Sequence, residues 1–310
     1  MRKIISSLLL IGFTVFSVPS LKAEELKGTI TLTGAWAIYP TAVAWSEAFQ
    51  RIHPDVRIDV SAGGAGKGAA DAIAGLADIG MVSRDPDPSE IKKGIFPVYI
   101  LHDAVFPVIS DKNPVLKELL NKGVKQKVLN DIYITGTVTT WSDISGISTD
   151  KKVHVYTRSD SCGAAASWSK YFGKKQEDLK GVGVYGDPGL LEAAKRDPVG
   201  IGFNNFSYIF NKDGSIVKGA VILPIDSNNN GKADSDEIYD TREKAIKAIE
   251  NGRYPATRKN FFFVKDKPKG LVKEFIVFAL SQEGTKIVEE VGASLPVLKA
   301  EREKVIKSIE

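Results

Sequence analysis

The segment SAGGAGKGAADAIAGLADIGMVSR, residues 61–84, is the most informative part of the chain, because a glycine-rich turn leads directly into an alanine-rich helix and then into an apolar strand. Gly63, Gly64 and Gly66 carry no Cβ, so the backbone can take positive φ values and bring its N–H groups close to a bound group. The helix predicted after them, residues 66–76, adds unpaired N–H donors and the positive end of its dipole. The segment predicts an anion-binding turn, and a ligand-free helix entry is the alternative.

Two further segments have the same order of strand, turn and helix. TGAWAIYP, residues 33–40, follows an alternating strand and precedes a helical pattern over residues 41–52. TRSDSCGAAA, residues 157–166, follows a predicted strand and contains Arg158, whose guanidinium matches a tetrahedral oxyanion. Ligands in open α/β sheets bind at the carboxyl ends of strands, so the three turns together predict one shared anion site.

These three segments resemble the PstS-like periplasmic phosphate-binding proteins of bacterial ABC importers, and ALSQEGTKIVEEVGASLPV, residues 279–297, resembles that family's last helix. The resemblance covers nearly the whole mature chain. It implies an α/β, two-lobed fold of the type II periplasmic-binding-protein kind, with the ligand cleft between the lobes. It also implies capture of phosphate or a related small oxyanion, delivery to an ABC permease in the inner membrane, and a monomer. The alternative within this fold is a different small anionic solute.

The family's phosphate contacts can be carried onto matching positions of this chain. The resemblance assigns ligand binding to Ala35, Trp36, Gly63, Gly64, Ser83, Arg84, Arg158, Ser161, Cys162, Gly163 and Ala164.

Several of these positions lack the hydroxyl groups that are usual in the family. The replacements are Ala35 or Trp36, Gly63, Cys162 and Ala164. Each lost charge-assisted hydrogen bond costs about 1.5–3 kcal/mol if nothing replaces it.

Selection of protonated phosphate over sulfate requires, in addition, a carboxylate that accepts a hydrogen bond from the ligand. Asp85 and Asp160 are the candidates in the sequence. Without such an acceptor, we expect weak rejection of sulfate.

The first 23 residues predict a cleavable secretory signal, with a basic start, an apolar run over residues 4–18 and Ala23 before Glu24. No cysteine comes directly after that run, so we expect a periplasmic protein without a lipid anchor. Removing these residues takes away three of the 42 basic residues and no acidic one, which leaves 39 basic against 38 acidic residues. A chain this close to neutral disfavours a nucleic-acid partner.

Strands alternate with helices along the chain, which predicts α/β layers with mostly parallel strands. We expect the extended apolar runs at residues 104–108 and 261–264 to pass between lobes. Residues 24–104 and 260–310 would then form lobe 1, and residues 105–259 would form lobe 2. The first two turns lie in lobe 1 and residues 157–166 lie in lobe 2, so a ligand would be clamped between them.

A twelve-residue calcium loop is predicted at DSNNNGKADSDE, residues 226–237, with Gly231 at the sixth position, where the backbone turns sharply. The predicted Ca²⁺ ligands are Asp226, Asn228, Asn230, the Lys232 carbonyl, Asp234 and Glu237. The alternative is a polar surface loop that matches by accident. A predicted strand precedes the loop and a predicted helix, residues 240–251, follows it, so the metal would be structural.

Cys162 is the only cysteine, which excludes an internal disulfide. It stands at a predicted helix N-terminus beside Arg158, and both features lower the pKa of a thiol. A secreted cysteine-dependent enzyme is therefore an alternative from another class. The three histidines show no partner spacing, so we expect no enzyme. Turnover that is lost on alkylation of Cys162 would identify the enzyme.

Overall fold

The computed structural model describes residues 26–310; the predicted signal peptide, residues 1–23, lies outside them. The strands are β1 (Gly28–Gly34), β2 (Val56–Ala62), β3 (Ile79–Val82), β4 (Ile95–Ser110), β5 (His154–Arg158), β6 (Val182–Val184), β7 (Gly200–Asn205), β8 (Ala220–Ile222), β9 (Thr257–Lys265) and β10 (Leu295–Pro296).

The helices are α1 (Tyr39–Ile52), α2 (Ala65–Ala74), α3 (Pro88–Lys92), α4 (Leu116–Lys122), α5 (Gln126–Asn130), α6 (Trp141–Ser145), α7 (Gly163–Tyr171), α8 (Gly186–Arg196), α9 (Phe206–Ile209), α10 (Arg242–Glu250), α11 (Gly270–Ala279), α12 (Gln282–Val291) and α13 (Lys299–Ile309). A π-helical turn covers Asp131–Thr135, and a 3₁₀ turn covers Gln176–Asp178. No helix among residues 26–310 is long and apolar enough to cross a membrane.

The strands run in the order β2-β1-β3-β9-β4-β7-β5-β6, and β8 and β10 pair with β4 beside this path. β1 is parallel to β2 and β3, and β5 is parallel to β6 and β7. The two long strands in the middle, β4 and β9, are antiparallel to their neighbours. The helices pack on these parallel strands, which confirms the predicted α/β class.

β4 is one strand of 16 residues that connects both halves of the molecule. Its first part pairs with β9 as far as Ala104, and from Val105 onward it pairs with β7. The strand passes through two polar residues, His102 and Asp103. The strand continues because the Asp103 carboxylate is bound in a bidentate pair by Arg258, at 2.7 and 2.9 Å.

Two separate hydrophobic cores lie on either side of this crossing, so the molecule has two lobes. Trp45 and Phe262 belong to the first core, and Trp168 and Phe203 belong to the second. The predicted crossing at residues 261–264 is wrong, because these residues pack in the first core. The return to the first lobe comes earlier, between Ala256 in the second core and those phenylalanines. The lobe boundaries 104/105 and 259/260 remain predictions.

The lobes touch each other through their turns. The N–H of Gly66 in the first lobe donates to the Ser161 carbonyl in the second at 3.0 Å. The Tyr208 hydroxyl of the second lobe donates to the Trp36 carbonyl of the first at 3.2 Å. The structure is therefore a closed arrangement in which the three predicted turns meet.

Candidate functional site

The glycine turn joins β2 to α2 and fixes both against β1. The N–H groups of Gly63 and Gly64 donate to the carbonyl of Gly34 at 2.8 and 2.9 Å. A Cβ at Gly68 would lie 2.5 Å from the Met81 carbonyl oxygen, so only glycine allows α2 to pack this closely. The expectation that Gly63 and Gly64 offer these N–H groups to an anion is wrong, because the carbonyl of Gly34 already uses both donors.

The first turn brings Trp36 to the boundary between the lobes. Ala35 is buried, and its N–H donates to the Met81 carbonyl at 2.8 Å. The indole of Trp36 stands edge-on to Tyr185 of the second lobe, with 6.0 Å between ring centroids. Its Nε1 is buried and has no hydrogen-bond partner among the residues that the structure describes. Trp36 is thus an unpaired donor at the lobe boundary.

Arg158 lies at the end of β5 with its side chain completely buried. Its Nε and Nη2 donate to the two oxygens of Asp160 at 2.8 and 2.6 Å, and its Nη1 donates to Asp187 at 2.7 Å. A buried cation requires carboxylate partners, and Asp160 and Asp187 compensate the charge of Arg158. Burial acts against the charge, but Asp187 and Asp160 hold the pKa of Arg158 above its ordinary value.

Cys162 is a capping residue. Its Sγ accepts a hydrogen bond from the Ala165 N–H at the start of α7, at 3.4 Å. Burial raises the pKa of the thiol to about 12, although Arg158 acts in the opposite direction. The expected lowering of this pKa is wrong, because desolvation outweighs the neighbouring charge. The thiol is protonated at neutral pH and a poor nucleophile.

Ser83, Ser161 and Gly163 come together where the lobes meet. A Cβ at Gly163 would lie 2.1 Å from both the carbonyl oxygen and the Oγ of Ser83, so this contact requires glycine. A Cβ at Gly66 would lie 2.4 Å from the Ser161 Oγ. Ala164 follows in α7 and is buried in the second core. The structure thus places these predicted residues at one boundary between the lobes.

The side chain of Arg84 has other contacts than its neighbour Ser83, which lies against Gly163. Its guanidinium binds both oxygens of Glu90, at 2.9 and 2.6 Å. It lines a separate cleft between the lobes, of about 820 Å³, together with His102, Lys170 and other residues. The side chain of Arg84 therefore does not join the other predicted anion ligands.

Asp187 is the residue of this site that sequence reasoning missed. Its side chain is buried at the start of α8, and the amide of Asn204 donates to its carbonyl at 2.8 Å. Burial raises the pKa of its carboxyl group, while the charges of Arg158 and Arg258 act to lower it. The available signal was an aspartate in the sequence GDPG, at a strand-to-helix turn.

The predicted calcium loop folds tightly between two buried acids. The Asp226 carboxylate accepts from the N–H groups of Asn230 and Gly231, both at 3.0 Å. Glu237 accepts from the N–H of Ser227 at 2.7 Å. Gly231 has φ +80°, which favours glycine. α10 begins two residues later than predicted.

Metal binding by this loop stays a prediction. Among residues 26–310, no group of three or more His, Cys, Asp or Glu side chains converges as a metal site. The predicted donor set contains three carboxylates, those of Asp226, Asp234 and Glu237, and in this structure they do not converge as such a group.

A family model described as a PBP superfamily domain matches residues 22–283. The chain belongs to the PBP superfamily.

Relatives of this PBP-superfamily chain include phosphate-binding protein PstS of Staphylococcus epidermidis, 28% identical over 87% of the chain and 79% of the relative. PstS of Bacillus subtilis is 26% identical over 88% and 82%. A crystal structure from Clostridium perfringens with bound phosphate, described as a phosphate ABC transporter substrate-binding protein, has 25% identity. It covers 87% of this chain and 100% of that one, with a TM-score of 0.72. The resemblance to PstS-like proteins and the two-lobed fold are confirmed.

Proposed function

We propose that this protein is a solute-binding protein that captures phosphate, or a related small oxyanion, between its lobes. The observation that carries the proposal is the buried Arg158 at the lobe boundary. A guanidinium has five N–H donors, and the carboxylates of Asp160 and Asp187 use three of them. The two remaining donors support a role in oxyanion binding. The phosphate-binding relatives support the same ligand class.

In this proposal the ligand is bound and released, and no covalent bond is formed or broken. The protonated state of Cys162 argues against a cysteine-dependent enzyme. Because the amides of the glycine turn bind protein carbonyls, side chains supply a larger share of the contacts than the sequence suggested. Arg158, Ser83 and Trp36 are the residues that we assign to the ligand. The same fold with a different small anionic solute remains the alternative.

Calorimetric titration of ligand-stripped protein tests this function. Phosphate, arsenate, sulfate and molybdate are titrated separately into the protein without its signal peptide. We expect one phosphate to bind per chain, with micromolar or tighter affinity, which is about 8 kcal/mol or more. Absence of heat with all four anions, for protein whose circular dichroism shows that it is folded, would contradict oxyanion capture and favour another solute.

Delivery to a transporter completes the proposal. We infer that residues 1–23 direct export, that the mature protein is a periplasmic monomer without a lipid anchor, and that it docks on an ABC permease. The Clostridium perfringens protein, which is named as an ABC transporter substrate-binding protein, supports the assignment to an ABC permease. N-terminal sequencing of exported protein tests the cleavage; a retained residue 1 would contradict it.

We also propose that residues 226–237 bind one structural Ca²⁺. The support is the in-register spacing of the oxygen donors, with glycine at the sixth position. Both ends of the loop, Asp226 and Glu237, are buried, so a bound ion would connect β8 to α10 within the second lobe. Metal analysis of protein dialysed against micromolar Ca²⁺ should give one calcium per chain, and a value near zero would refute the site.

A further inference from the structure

The cleft beside Arg84 lies where β4 passes from the first lobe to the second, and we call it the hinge cleft. Its volume is about 820 Å³. It is distinct from the lobe boundary around Arg158, because Arg158, Ser83 and Trp36 are not among the described residues that line it. The side chains that line it come from both lobes and include Arg84, Tyr99, Lys170, Tyr171 and Arg258.

Arg258 on β9 supplies a buried guanidinium to the wall of the hinge cleft, and the residue is 9% exposed. Its Nε and Nη2 donate to the two oxygens of Asp103 at 2.7 and 2.9 Å, and Nη2 also donates to the side-chain oxygen of Asn205. These bonds fix the orientation of the guanidinium. Its Nη1 is buried and has no hydrogen-bond partner within residues 26–310. A buried donor without an acceptor is costly, so an anionic group that reaches Nη1 is favoured here.

The charged side chains of the hinge cleft are mostly basic. Two arginines and two lysines line it, and Asp85 is the one acidic residue among the described lining residues. The two lysines form exposed ion pairs, Lys170 with Asp85 at 2.6 Å and Lys259 with Glu301 at 3.5 Å. Because exposed pairs of this kind contribute only about 0–1 kcal/mol, both ammonium groups can turn to an anionic ligand at little cost.

The rest of the lining is apolar or uncharged. Ile249, Pro255 and the rings of Tyr99 and Tyr171 supply apolar surface. Burial raises the pKa of Tyr171 to about 12 and lowers the pKa of His102, so both side chains are uncharged at neutral pH. The volume of the cleft lies within the range of small-molecule sites, about 300–1,000 Å³, and inorganic phosphate would leave most of it empty. The lining therefore suits an anion that also carries an apolar part.

We propose that the hinge cleft is a second binding site, which takes a small organic anion. The carboxylate or phosphate group of the ligand accepts a hydrogen bond from Nη1 of Arg258, and its apolar part packs on Ile249, Pro255 and the tyrosine rings. Because Nη1 is covered in the structure, binding also requires a small shift of the side chains above it. The site goes beyond the proposed oxyanion capture and does not depend on it, since the cleft shares none of the residues assigned to phosphate.

Calorimetric titration of the protein without its signal peptide tests the site. Phenyl phosphate and phenylacetate are the anionic probes, and phenylacetamide is the uncharged control. Each is titrated with and without saturating inorganic phosphate. We expect one equivalent of each anion to bind with a dissociation constant of about 1 mM or tighter, whether or not phosphate is present, and phenylacetamide to bind at least about tenfold more weakly. Absence of binding by both anions, equal binding of the amide, or displacement of the probes by inorganic phosphate would overturn the proposal. Failure of inorganic phosphate itself to bind would instead contradict the proposed function.

Two variants place the binding in the hinge cleft. Arg258→Lys keeps a positive charge beside Asp103 and lacks the Nη1 donor. Ser167→Trp puts an indole into the cleft from α7, because Ser167 is half-buried and lines it. We expect each variant to bind phenyl phosphate at least about tenfold more weakly. The matched control is Ser142→Trp, a half-buried serine on α6 of the same lobe that does not line the cleft, and it should bind as the wild type does. Unchanged affinity in Ser167→Trp, with circular dichroism showing that it is folded, would overturn the proposal even if Arg258→Lys does not fold.

Discussion

The Arg158 side chain is held by two carboxylates and is closed to solvent. The stability of the folded protein and the binding of a ligand by Arg158 therefore depend on the same contacts. An arginine that loses one partner keeps its charge, whereas a buried aspartate that loses its arginine is left without compensation. The residue most important for binding is for this reason also important for folding, and the two effects have to be measured separately.

Arg158→Ala should lower the free energy of unfolding by about 3–5 kcal/mol, because Asp160 and Asp187 are left as uncompensated buried charges. It should also abolish phosphate binding. Urea denaturation and calorimetry measure the two effects. The double variant Arg158→Ala with Asp187→Asn should recover part of the stability and none of the binding. A single variant that is as stable as the parent would contradict the buried pairing.

The sequence predicts the residue types of this site better than their contacts. Arg158 was identified because a basic group at a strand-to-helix turn leaves a local signal, and Ser83 and Gly163 were assigned by the resemblance to PstS-like proteins. Asp187 was missed because its position beside Arg158 depends on the pairing of β5 with β7 and the packing of α8. Such contacts between residues far apart in the chain have no local pattern.

Secondary-structure elements with a local sequence signal were likewise predicted better than those that depend on distant residues. α1 and α2 begin and end within two residues of their predicted limits, because proline, glycine and helical periodicity mark them locally. The short strands β6 and β10 were not predicted, since three and two residues form a strand only when a neighbouring strand pairs with them. The acceptor of the Gly63 and Gly64 N–H groups, the Gly34 carbonyl, likewise could not be predicted locally, because it belongs to β1.

The loop of residues 226–237 gives a prediction at this scale. A metal that binds only the folded state stabilises it by mass action, about 2.7 kcal/mol at 100 times the dissociation constant. Chelation should therefore lower the melting temperature by several degrees, at roughly 2–4 °C per kcal/mol. The pair of changes Asp226→Ala and Glu237→Ala should remove this response. Asp240→Ala, an exposed partner of Lys244 outside the loop, is the control that should keep it. If chelator leaves the melting temperature of the unmodified protein unchanged, the calcium site is contradicted.

At the scale of the whole molecule, function depends on how closely the lobes approach. β4 and β9 connect the lobes, while the turns beyond them are in direct contact. The contact between Gly163 and Ser83 joins opposite lobes, so it constrains closure without contributing to either core.

Gly163→Ala should therefore affect closure more than folding. The new Cβ would lie 2.1 Å from the Ser83 backbone oxygen, which the closed state cannot accommodate without moving the lobes apart. We expect phosphate affinity to fall at least about tenfold, or 1.4 kcal/mol, and small-angle scattering to show a larger radius of gyration. The control is Gly189→Ala in the same lobe, because the added Cβ would contact only the Val184 side chain. Unchanged affinity in Gly163→Ala would show that this contact does not limit closure.

We propose above that a small oxyanion is held between the lobes beside Arg158. A crystal structure of the protein with phosphate tests it most directly. We expect one tetrahedral anion at the lobe boundary, within hydrogen-bond distance of the Arg158 guanidinium, which is about 2.5–3.2 Å. Phosphate bound only in the cleft beside Arg84, or only on the outer surface, would contradict it.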